Sequence, residues 1–162
     1  MVKIESVESQ KQQNKLQASK FTSLVIAGIL ATVAFNAVMC TDIAITGIPV
    51  DIVATLGQIT VGENEFTQTV GHAIHFANGI GLALLFGYVA VPISKRFTKL
   101  PILVIAVTYS VIELIIAVWL GMLPALGAGF AGLNIAPEVA IMTLGRHIAF
   151  GVVLGISLGR LK

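Results

Sequence analysis

The stretch "PEVAIMTLGRHIAFGVVLGISLGRLK", residues 137–162, decides the fold. From Glu138 to Arg160 its only charged interior residue is Arg146, and the rest is apolar or small. A hydrocarbon core about 30 Å thick takes roughly 20 helical residues to cross, so this stretch predicts a transmembrane helix over 138–159. Outward from it, three more apolar stretches of similar length appear at about 21–40, 70–93 and 101–123. With 162 residues, 56% hydrophobic and 11% charged, the chain is too apolar for a soluble domain of its size. The expectation is an all-α integral membrane protein with four transmembrane helices in a bundle. A polar tail over 1–20, "MVKIESVESQKQQNKLQASK", reads as flexible and precedes a transmembrane domain over 21–162.

Nine of the ten basic residues fall on one side of this arrangement: Lys3, Lys11, Lys15, Lys20, Lys95, Arg96, Lys99, Arg160 and Lys162. Asp42, Asp51, Glu63, Glu65 and Glu138 fall on the other. The positive-inside rule then places both termini in the cytoplasm, in a cell inner (plasma) membrane. The single cysteine, Cys40, excludes an internal disulfide. Met39 is a poor residue to precede a lipidated cysteine, so the first span is read as retained.

The chain also reads as two halves. "LVIA" opens both the first and third spans, at 24–27 and 103–106, and "PVDIVATLG" at 49–57 resembles "PEVAIMTLG" at 137–145. His75, Gly79, Ala83 and Gly87 recur with a spacing of four, as do His147, Gly151, Gly155 and Gly159. Residues four apart share a helix face, and small residues let backbones approach closely in lipid, as in glycine-zipper packing. Two pseudo-repeated helix hairpins are therefore expected, with spans 2 and 4 closely packed.

Depth predicts which polar groups meet. Counting from the basic ends, Glu113 lies about 18 Å in and Arg146 about 21 Å in. A lone charge at such depth is costly, so a Glu113–Arg146 ion pair is expected, with Asn36 and Asn78 extending a polar network. His75 and His147, each followed by a glycine four residues on, allow a second reading as axial ligands of haem b, and His72 could add a metal ligand. The segments 43–60 and 124–137 are too apolar for ordinary loops and are read as interfacial or re-entrant.

No nucleotide-binding, nucleophile-elbow or zinc-protease motif occurs, and no catalytic residue is assigned. The patterns "GILATVAFNAVM", "GIPVDIVATLG", "HFANGIGLALLFGYV", "MLPALGAG" and "HIAFGVVLGISLG" resemble bacterial four-span inner-membrane proteins of the YagU-like kind, domains of unknown function. That resemblance implies a small inner-membrane protein and brings no catalytic residues with it. Three function classes follow: a non-enzymatic accessory or structural subunit, a small transporter or channel using the Glu113–Arg146 network, and a b-type haem protein. The expected partners are the lipid bilayer and other membrane subunits or a second copy of the chain, with no nucleic acid.

Overall fold

The computed structural model describes residues 2–160, with side chains from Ser9 onward. Lys162 and the side chain of Lys3, counted above in the basic flank, lie outside the described residues. Among the described residues there are no strands. Four helices are long and apolar enough to cross a membrane: α1 (Val2–Thr46), α3 (Thr67–Phe97), α4 (Ile102–Ala125) and α5 (Glu138–Arg160). A shorter apolar helix, α2 (Ile52–Val61), lies between α1 and α3. The protein is a multi-pass membrane protein.

The first helix departs most from the sequence reading. It is one continuous helix of 45 residues, about 68 Å long, so the stretch expected to be a flexible tail continues the first span. At its other end it passes Cys40 and stops only at Gly47, whose φ of 70° suits a left-handed cap and whose N–H bonds to the Ile43 carbonyl. Asp42 is thereby lifted from an expected loop onto the helix. Leu24, Ala27, Ala31, Phe35 and Met39 form the buried face of α1, while Leu30 and Val33 point outward as lipid-facing groups do.

Segment 43–60 contains the rest of α1, an extended link and α2, which Asp51 caps by accepting from the N–H groups of Val53 (2.8 Å) and Ala54 (3.1 Å). The helix then folds back antiparallel on the start of α3. A Cβ at Gly57 would overlap the Thr67 backbone, and one at Gly71 would overlap that of Val53, so the hairpin requires glycine at both places. Segment 124–137 forms a compact turn around Phe130–Gly132.

Wide π-helical turns occupy Phe86–Ala90 in α3 and Leu114–Met122 in α4. Each precedes a proline within its helix, Pro92 and Pro124, and the looser turns accommodate the missing N–H and the ring.

α1 packs on α3 and α5, and α5 packs on α1 and α4. The predicted contact between spans 2 and 4 is not formed; α3 and α5 share no packed interface. The small faces serve other neighbours. Gly79 lies against Thr32, and Gly87 against Leu24, both on α1. Gly151 and Gly155 lie against Val107 and Leu103 on α4, whereas Gly159 is exposed. Each small-residue face thus packs on the other long helix of its own half of the chain. The halves differ in one respect: span 1 packs on span 4, but α3 and α4 touch only from the turn that joins them up to the level of Leu82 and Tyr109. The space left between α3, α4 and α5 becomes the cavity described next.

Candidate functional site

Arg146 is 1% exposed and is the largest fully buried side chain among the described residues. Its partner is Asp42, not Glu113. Nε donates to Asp42 Oδ2 at 2.7 Å, Nη2 donates to Oδ1 at 2.6 Å, and Nη1 donates to the Val50 carbonyl at 2.8 Å. The bidentate geometry suits the planar guanidinium, and the third bond closes the extended link over the pair. The predicted Glu113–Arg146 pair fails because successive residues of α5 project about 100° apart, sending Arg146 toward α1 and His147 toward α4.

Glu113 instead faces His147, its Oε2 lying 3.2 Å from Nε2. Nδ1 of the same ring lies 2.7 Å from the Thr143 carbonyl. A carbonyl can only accept, so Nδ1 carries a proton. Trp119 Nε1 donates to Thr143 Oγ1 at 3.0 Å, and Ser110 Oγ donates to the His147 backbone carbonyl at 2.6 Å, so the residues around the imidazole are themselves held. Among the described residues, no hydroxyl or thiol is bonded to the ring, and no nucleophile and base are paired there.

Phe35 of α1 stands edge-on to both His75 (5.0 Å between ring centres) and His147 (5.2 Å). The residues do not fit a bis-histidine haem: Phe35 occupies the ground beside both imidazoles, and Nε2 of His147 is already against Glu113. His72 is exposed, and no three His, Cys, Asp or Glu side chains converge as a metal site among the described residues. Asn36 and Asn78 do not extend a network. Asn36 has a buried, unpartnered Oδ1, and neither side chain hydrogen-bonds to a described residue.

These groups border a cavity of about 740 Å³. Its deep end is walled by Thr32, Phe35, His75, Arg146, His147 and Phe150, and its sides by apolar groups of α2 and α4 such as Leu56, Val118 and Met122. Exposed Ile59, Leu126 and Ile135 mark its edge toward the acidic end of the bundle.

A family model described as a family of unknown function (DUF6789) matches residues 18–162. The chain belongs to that family. The matched region takes in all four spans and with them Asp42, Glu113, Arg146 and both cavity histidines. The YagU-like resemblance is not confirmed by this match. Neither a curated protein nor a solved structure matches the chain.

Of the residues that build the site, sequence reasoning missed Asp42, Val50 and Phe35. A signal for Asp42 was available. It lies three residues after Met39 on the buried face of α1, with no helix breaker before Gly47. Val50 contributes only a backbone carbonyl and leaves no trace in side-chain pattern.

Proposed function

We propose that this DUF6789 protein binds a lipid-soluble small molecule inside its bundle, as an intramembrane receptor or carrier. The observation that carries this reading is the cavity of about 740 Å³, mostly apolar in its walls, with a few polar groups gathered at its deep end. That volume lies in the range of small-molecule sites, roughly 300–1,000 Å³. A bundle that needed only to be stable would close such a space, because unfilled volume forfeits packing. An anion path through Arg146 is not part of the reading, since Asp42 and Val50 already hold its guanidinium.

The protein sits in a plasma (inner) membrane with both termini in the cytoplasm, a placement supported by the basic flanks of its spans. A second reading, an accessory subunit of a larger complex, draws on α1. The helix is about twice as long as a hydrocarbon core requires, and its residues 9–22 are exposed, offering a helical arm to another subunit.

The test is binding of a fluorescent apolar dye to the full chain in nanodiscs, with organic extraction and mass analysis of what co-purifies. Saturable binding, displaced by a small set of extracted lipids, is the expected result. Dye partitioning no different from that of empty nanodiscs would overturn it.

A further inference from the structure

This inference rests on the ligand-binding reading and concerns which molecule the cavity takes and how it enters. The charged groups of the wall are already matched. Arg146 is held by Asp42 and Val50, and Glu113 faces His147. An anionic head would have to displace Asp42 from a bidentate pair, and a cationic one would have to compete with His147 for Glu113. His75 differs. Its Nε2 is buried with no hydrogen-bond partner among the described residues, although the ring borders the cavity. Asn78, three residues on and therefore on the same side of α3, lines the same space with its amide unbonded to any described residue. One uncharged group able to hydrogen-bond would satisfy His75, and leaving a buried polar atom unsatisfied is costly.

A route from the bilayer leads to the same place. A smaller space of about 300 Å³ lies between α3 and α4, and it shares Asn78, Leu82 and Glu113 with the main cavity. Its other walls are Ala77, Gly81 and Leu85, of which Leu85 is 49% exposed on the lipid-facing surface. Below this space the two helices are tied. The Tyr109 hydroxyl donates to the Leu82 carbonyl at 3.1 Å, and the Tyr109 ring packs on Phe86. Above that tie α3 and α4 do not pack together. A Cβ at Gly81 would meet nothing within 4 Å, so the gap is open there.

We propose that the cavity takes an uncharged, single-chain lipid with a hydroxyl or carbonyl head, which enters sideways from the bilayer between α3 and α4. Its head bonds to His75 and Asn78, and its chain lies along Leu56, Val118 and Met122.

The test uses the full chain in nanodiscs, with five competitors of similar chain length against the bound fluorescent dye: hexadecanol, 2-heptadecanone, palmitate, hexadecyltrimethylammonium and hexadecane. Hexadecanol and the ketone should displace the dye at concentrations about tenfold lower than the other three, the ratio expected when one neutral hydrogen bond decides. His75→Leu should bring hexadecanol close to hexadecane, while His75→Gln, which keeps a hydrogen-bonding group, should restore most of the preference. Gly81→Phe should fill the gap and slow dye association and dissociation about equally, leaving the equilibrium affinity unchanged. Dye that binds but is displaced best by palmitate or the ammonium overturns the neutral head, and an alcohol preference that survives His75→Leu overturns the head site. Unchanged rates in Gly81→Phe overturn the sideways entry. All three outcomes leave the ligand-binding reading standing, whereas failure of the dye to bind the unaltered protein removes that reading itself.

Discussion

Asp42 and Arg146, 104 residues apart, are joined by two hydrogen bonds of 2.7 and 2.6 Å. They couple the first span to the last and set the rotation of α5, which in turn presents His147 to Glu113 on α4. Arg146, His147 and Glu113 all border the cavity.

Removing one partner leaves the other buried and uncompensated. Asp42→Asn or Arg146→Gln should each destabilise the protein by about 3–5 kcal/mol, whereas replacing both together should cost much less than the two added. Thermal unfolding of the four proteins in one detergent measures the coupling. Arg146→Gln combined with Glu113→Gln should show far less coupling; an equal value would restore the pair expected from the sequence.

The glycines of α5 differ sharply in what surrounds them. A Cβ on Gly155 would lie 2.7 Å from the Leu103 Cα, and one on Gly151 would lie 2.8 Å from the Val107 Cα, backbone atoms that cannot move aside. Gly155→Ala and Gly151→Ala should each destabilise by about 1–3 kcal/mol through overpacking. At Gly145 a Cβ meets nothing, so Gly145→Ala should be neutral or stabilising by up to about 1 kcal/mol through helix propensity. The ranking of melting temperatures checks both.

Haem added to the purified protein should give no six-coordinate bis-histidine spectrum, because Nε2 of His147 faces Glu113 and Phe35 stands against both imidazoles. The idea is revived if such a spectrum forms and disappears in both His75→Ala and His147→Ala.

The side of each loop can be read by cysteine labelling. In a Cys40→Ala background, Glu63→Cys should react with a membrane-impermeant maleimide in intact cells, while Lys99→Cys should react only after the membrane is opened. The reverse pattern would place both termini outside.

Much of the architecture was legible in the chain because lipid imposes strict rules on sequence. An apolar run of about 20 residues must be a helix when water is absent, since backbone groups can then bond only within the segment. The second, third and fourth spans accordingly begin and end within a few residues of their expected bounds. Of the small faces expected from His75 to Gly87 and from His147 to Gly159, Gly79, Gly87, Gly151 and Gly155 lie close against a neighbouring helix, whereas Gly159 is exposed and the expected contact between spans 2 and 4 is absent.

What the chain alone determined is the set of helices, the residues too polar to face lipid, and the faces narrow enough for close approach. Only the tertiary structure decided the partners: that the small faces meet α1 and α4, that Arg146 finds Asp42, and that α3 and α4 stand apart over a cavity. The reason is geometric. Periodicity determines where a side chain points around its own helix, whereas a partner depends on how helices are shifted and rotated against one another. Six further residues at the end of α1 were enough to bring a carboxylate within reach of Arg146 and to leave Glu113 for the histidine beside it.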